Sequence, residues 1–183
     1  MRQFKGSRVP EYTRAGFSLI ELMVVVAIVA ILGSFGAPAY QDYLIRTRVA
    51  EGMVLASKAK SLVIENVVNG LPLDAGWSGI SSKYVDNITI QQSNGFVTIT
   101  YKENLTGAGV KYTMTIVPKA DTASSISAEM LAGTATGSKI PAGSVFTWSC
   151  RVAGTTGADG GVVGWLGTLP KKWAPQECHT LVR

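Results

Sequence analysis

The sequence predicts an α+β fold in which one long N-terminal α-helix forms a spine across a four-stranded antiparallel meander sheet. Three observations carry this. Between Phe17 and Ala39 the only charged side chain is Glu21. Beyond that run, Val49, Met53, Ala56, Ala59, Val63 and Val67 recur at spacings of three or four, the stripe of an amphipathic helix. Four strand-like stretches follow at Tyr84–Gln91, Phe96–Tyr101, Lys111–Val117 and Val145–Val152, with apolar and polar residues alternating most clearly in the second and third.

The first 16 residues stand apart. Arg2, Lys5, Arg8 and Arg14 face a single acid, Glu11, so three of the five net positive charges lie ahead of Phe17. Basic residues before an apolar segment hold that end in the cytoplasm. Topology, rather than nucleic-acid binding, therefore accounts for the positive charge. In an ordinary secretory signal the small residues at the cut come after the apolar stretch. Here the small residue, Gly16, precedes it. Cleavage at Gly16 would remove the charged leader and leave the apolar helix on the mature protein. Three segments result: residues 1–16 as a leader, 17–40 as a membrane-spanning helix, and 41–183 as an exported globular domain.

About 20 apolar residues at roughly 1.5 Å each cross a bilayer core, and the run from Phe17 to Ala39 is long enough. A carboxylate inside it is costly unless paired, which makes Glu21 a functional candidate. Cleavage would give Phe17 a new α-amino group one turn away, and residues four apart share a helix face. Gly33, Gly36 and Pro38 interrupt the helix, since proline removes a backbone hydrogen bond and glycine lowers helix propensity. Asn69-Gly70 followed by Pro72 ends it. The first half is apolar on every side and the second is amphipathic.

In the remaining domain Ser93-Asn94-Gly95 supplies a hairpin turn between the first two strands. One face of the sheet is expected to cover the stripe containing Met53 and Val63. Leu71–Lys83 and Arg151–His179 read as irregular surface segments. The glycine-rich stretch Gly154–Gly161 lacks the Lys-Ser/Thr and helix of a phosphate loop. Asn87-Ile88-Thr89 and Asn104-Leu105-Thr106 match glycosylation sequons. Cys150 and Cys178 lie outside the inner membrane under this topology, where disulfides persist. A bridge between them closes a loop of about 29 residues, worth about 3.5 kcal/mol in the chain-entropy model. With one histidine, His179, the chain offers a poor metal site, and no catalytic set or cofactor motif is present.

Gly16-Phe17-Ser18-Leu19-Ile20-Glu21, continuing through Leu22-Met23-Val24-Val25-Val26-Ala27-Ile28, resembles the class III leader junction of type IV pilins and their pseudopilin relatives. Pro38-Ala39-Tyr40-Gln41-Asp42-Tyr43 is similar to that family's helix-kink segment. Ser82-Lys83-Tyr84-Val85 and Lys171-Lys172-Trp173-Ala174-Pro175-Gln176-Glu177-Cys178 are similar to later landmarks, with Lys119–Ser144 standing out as an enlarged loop. The resemblance implies the pilin αβ-roll, cleavage after Gly16 by an inner-membrane prepilin peptidase, and N-methylation of Phe17.

The resemblance further implies polymerisation with identical subunits through the N-terminal helix, assisted by the pilus assembly machinery. Glu21 of an incoming subunit would neutralise the Phe17 amine of one already in place. The Gly33–Pro38 segment reads equally as a fixed kink or as a stretch that unwinds when a filament extends. The expected function is structural: a precursor held in the bacterial inner membrane, N-terminus cytoplasmic, then an extracellular pilus serving adhesion, twitching motility, biofilm formation or DNA uptake. A minor tip pilin binding a host receptor or DNA shares these features. A type II secretion pseudopilin shares the N-terminus, but its family usually lacks the C-terminal cysteine pair. The implied activity is not enzymatic.

Overall fold

The structure, a computed structural model, describes residues 16–121, 129–139, 145–153 and 167–178. The leader before Gly16, the Gly154–Gly161 stretch and His179 lie outside the described residues. The chain divides into two compact units, one ending at Tyr40 and one beginning at Gln41.

Helix α1 runs over Leu19–Val68, 50 residues, starting two residues later than the pattern predicts and ending one earlier. Its first backbone bond, from the Leu22 N–H to the Ser18 carbonyl at 3.2 Å, makes Ser18 the N-cap and leaves Phe17 outside the helix. At the other end the Leu71 N–H donates to the Asn66 carbonyl (2.8 Å) and the Gly70 N–H to the Val67 carbonyl (3.1 Å). Gly70 has φ +66°. This pair of bonds around a left-handed glycine is a Schellman stop, the one that Asn69-Gly70 announces.

In the second unit α1 buries Ile45, Val49, Gly52, Ala56, Ala59, Val63, Asn66 and Val67 against the sheet, with Met53 only partly covered. The sheet has β1 (Val85–Ile90), β2 (Val97–Tyr101) and β3 (Thr113–Asp121) in antiparallel sequence. On the far side of β3 lies β7 (Val145–Arg151), in antiparallel register from Thr115↔Arg151 to Asp121↔Val145. The four expected strands and their meander order are thus present. The register slips between Val85 and Asn87. That bulge turns both Val85 and Ile88 into the core although they are three residues apart.

Two expectations are corrected. The span Lys119–Ser144 is not wholly loop. Its first residues extend β3, and it contains β4 (Glu129–Met130), which pairs Lys119 and Ala120, and a separate hairpin of β5 (Ala132–Thr134) and β6 (Gly137–Lys139). Pro118 hid the extension of β3. Even-numbered backbone groups of β3 face β2, as the Tyr101 N–H bond to the Tyr112 carbonyl (2.8 Å) shows. The N–H that Pro118 lacks therefore falls past the last β2 pair, Val97↔Ile116, where no ladder bond is needed. The hairpin is too short for alternation to show.

The second correction concerns the irregular segments, which are not confined to the surface. Leu73, Val152, Leu169, Ala174 and Cys178 are buried members of the core. They are isolated apolar residues without a period, so patterning alone leaves them in loops.

Candidate assembly segment and its anchor

The N-terminal segment is assembled from exposed residues. Every residue from Gly16 to Gln41 is exposed. Phe17 retains 86% of its accessible surface, and Leu19, Ile20, Leu22, Met23, Val29, Ile31, Leu32 and Phe35 are similarly bare. A Cβ added at Gly16, Gly33 or Gly36 would meet nothing within 4 Å, so no contact among the described residues requires glycine there. Pro38 stands inside α1, and the Ser34 carbonyl one turn earlier has no N–H to accept from it. The Ser34 hydroxyl folds back onto the Ile31 carbonyl at 2.7 Å, which satisfies it within the helix. Among the described residues α1 is the one helix long and apolar enough to cross a membrane.

Glu21 is the acid of the first turn. Ser18 as N-cap places Glu21 at the third helical position, the spacing of a capping box, where a carboxylate also suits the positive end of the helix. Phe17 lies just ahead of the first turn rather than in it, four residues before Glu21.

In the globular unit Cys150 and Cys178 form a disulfide with their Cα atoms 4.9 Å apart. It anchors a C-terminal strap, residues 167–178. The strap donates the Leu169 N–H to the Thr113 carbonyl at 2.9 Å, and Thr168 and Thr113 exchange backbone-to-hydroxyl bonds of 3.1 and 2.9 Å. At its centre the Trp173 indole meets the Tyr112 ring edge-on, with centroids 5.6 Å apart, and donates Nε1–H to the Asp42 carboxylate at 2.8 Å. Lys172 adds an ion pair to Asp42 at 3.5 Å. The Trp173 hydrogen bond, then the positive charges of Lys172 and Arg46, hold the Asp42 carboxyl below the ordinary carboxylate range. Nothing in the sequence pattern announces this link between residues 131 apart.

Two other anchors also went unread. The Tyr101 hydroxyl is buried against α1 beside Gly52. Asn66, buried, donates to the Leu73 and Ala75 carbonyls at 3.3 and 2.9 Å, tying the helix end to the loop that follows. A lone glycine inside a strong helical stripe was the available signal for the first. Among the described residues no group of three or more His, Cys, Asp or Glu side chains could hold a metal.

Residues 45–179 match the family model described as pilin (bacterial filament), well over half of the 183-residue chain. The chain belongs to the pilin family. Residues 13–37 of this pilin match the prokaryotic N-terminal methylation motif. It is 42% identical over 97 residues to the type IV major pilin protein PilE1 of Neisseria gonorrhoeae, covering 49% of this chain and 44% of that one. It is 38% identical over 104 residues to the fimbrial protein EcpC of Eikenella corrodens, 52% of this pilin and 68% of the relative. With the type IV major fimbrial protein FimA of Dichelobacter nodosus, identity reaches 53% over 55 residues, 30% and 34% of the two chains. The pilin spans about half the length of the Neisseria relatives it matches.

Proposed function

We propose that this pilin is a non-enzymatic structural subunit of a type IV pilus, made as a precursor, cut after Gly16, N-methylated on Phe17 and polymerised with identical copies. One observation carries the reading furthest. The helix from Leu19 to Tyr40 is apolar on all sides and exposed on all sides. Exposed apolar surface of this extent requires another environment. Lipid supplies it before assembly, and neighbouring copies of the same helix supply it in a filament. The motif match at residues 13–37 supports processing at the head of that helix.

In this account Gly16 and Phe17 are substrate positions for a prepilin peptidase, and the precursor sits in the bacterial inner membrane with its leader in the cytoplasm. Glu21 opposes the methylated amine of a neighbouring Phe17. Gly33, Gly36 and Pro38 lower the cost of local unwinding, because glycine weakens helix propensity and proline removes a backbone hydrogen bond. Assembly machinery extracts the subunit, and the finished filament is extracellular. The filament's own ligand, host receptor or DNA, is a further partner in this account. Mass spectrometry with N-terminal sequencing of sheared surface filaments tests the processing. The expected first residue is methylated Phe17. Material beginning at Met1, Ala37 or Ala39 would refute it.

A further inference from the structure

We infer that in the unassembled precursor the C-terminal strap rests on the outer surface of the membrane, with Lys171 and Lys172 against the phosphates of anionic phospholipids. The inference builds on the reading of residues 17–40 as inserted before assembly, and names what the exported unit touches there.

The strap's position relative to lipid follows from covalent continuity. Asp42 is three residues beyond Ala39, so it lies within about 10 Å of the end of the apolar run. Trp173 and Lys172 are fixed to Asp42 at 2.8 and 3.5 Å. A segment 131 residues away in sequence is thereby tied to a residue only three beyond the apolar run. Tyr43, the next residue of α1, is exposed, and aromatic residues of this kind collect at the headgroup level.

The charge at this level is positive. Arg46, Lys171 and Lys172 are exposed, and Asp42 is the acid among them. The next acid along α1, Glu51, is nine residues on, about 13 Å along the axis. Glu177, in the strap itself, lines a small cavity of about 40 Å³ with Met53, Lys60 and Trp148. Basic residues close to a span on the outer side normally oppose correct insertion. Lys171 and Lys172 escape that constraint because they follow the span by more than a hundred residues and reach this level only when the domain folds. A basic, partly aromatic surface at the membrane boundary fits anionic headgroups, each lysine near such a surface strengthening attraction about fivefold.

The test uses the full-length chain in nanodiscs of phosphatidylglycerol and, separately, of phosphatidylcholine, with lysine acylation rates read residue by residue by mass spectrometry. Lys171 and Lys172 are expected to react about fivefold more slowly in the anionic discs. The difference should vanish near 1 M salt, where the screening length falls to about 3 Å. Lys58, exposed and 16 residues past Asp42 along α1, should react equally in both. Equal rates for Lys171 and Lys172 in the two lipids would overturn the headgroup contact and leave the subunit reading intact. A chain that fails to enter either disc would overturn the membrane stage of the proposed function, and the contact with it.

Discussion

The ring of Tyr101 occupies the space over Gly52 that any side chain there would need. A Cβ on Gly52 would approach the Tyr101 ring carbon Cε1 to 2.8 Å, and the hydroxyl at the end of that ring donates a 3.0 Å hydrogen bond to the Val49 carbonyl. Strand β2 is thus keyed to α1 at one point, and the glycine exists to admit the key. Gly52→Ala gains helix propensity of about 1 kcal/mol but must displace a fully buried ring. The expected net effect is a loss of about 1–3 kcal/mol, since overpacking a closed core costs this much. Tyr101→Phe keeps the ring and leaves the Val49 carbonyl with its helical partner alone, a loss of about 1 kcal/mol. Urea unfolding of a fragment beginning at Gln41, expected to fold alone because its core lies within residues 45–178, measures both. Gly52→Ala at or above wild-type stability would show that the ring moves aside freely.

The same tyrosine sets an alkaline limit. Burial, and secondarily the charge of Glu51, raise the Tyr101 phenol above its ordinary value of 10.0. A group whose folded pKa is raised stabilises the fold below the unfolded pKa and loses that contribution as pH climbs above it. Stability should therefore fall above about pH 10. Absorbance titration of phenolate should show one tyrosine that ionises only as the domain unfolds. Tyr101→Phe should flatten that alkaline slope.

Removing the bridge tests the strap. Cys150→Ser with Cys178→Ser should cost about 2–5 kcal/mol, the usual range for a native disulfide in a small exported domain. The loss should be accompanied by freer motion of residues 167–178, seen as faster amide exchange at Leu169, whose N–H is bonded to the Thr113 carbonyl. Alkylation of undenatured and denatured, unreduced wild-type protein should find no free thiol. Two free thiols would rule the bridge out.

The β5–β6 hairpin should be intolerant of side chains at its seats. A Cβ on Gly133 would run into the Gln92 carbonyl and would come within 2.9 Å of Leu73 Cγ, and one on Gly137 would meet the Gly70 carbonyl at 2.6 Å. The Gly133 N–H donates to the Ser93 carbonyl at 2.9 Å, and the Ser138 hydroxyl to the Leu71 carbonyl at 2.6 Å. The hairpin thereby caps both the helix stop and the β1–β2 turn. Gly133→Ala should destabilise the domain by about 1–3 kcal/mol, because the obstacle is backbone. Ala135→Ser, at the exposed turn, should be neutral within about 0.5 kcal/mol. Paired thermal melts of the two variants distinguish a clamped hairpin from a loosely attached one.

Legibility followed periodicity. The α1 stripe and the four long strands each repeat a signal over several residues, and the helix stop at Gly70 carries a strong local one in Asn69-Gly70 and Pro72, so the sequence announces them. Asp42–Trp173, Tyr101–Gly52 and Asn66–Leu73 are single contacts between elements, and a linear pattern does not register which residues meet. The β5–β6 hairpin escaped for a different reason. Gly133, Thr134 and Gly137 are chosen for close approach rather than for apolar alternation, and they read locally as loop. At the candidate assembly segment Gly16, Phe17, Glu21 and the apolar helix follow one another along the chain instead of meeting across it, so their order is read directly from the sequence.

Glu21→Ala separates a polymerising subunit from a domain that is merely anchored. The substitution makes the span more apolar, so membrane insertion should be unharmed or improved. Cleavage should persist, since Gly16 and the basic leader are unchanged. Two roles for the carboxylate then diverge. As an acid in the first turn of α1, Glu21 contributes about 0.3–1 kcal/mol through the positive end of the helix. That turn lies at the end of an already long apolar helix, and fraying it would leave filaments intact. As the counter-charge of a neighbouring Phe17 amine, its removal leaves a cation buried without a partner, at roughly 3–5 kcal/mol per contact. The cost recurs at every subunit added, so even its lower end should stop growth. Immunoblots comparing membrane-held with sheared-filament pilin provide the readout. The expected result is a normal membrane pool of cleaved subunit and no filament. Wild-type filament yield from Glu21→Ala would assign the carboxylate to the helix end alone.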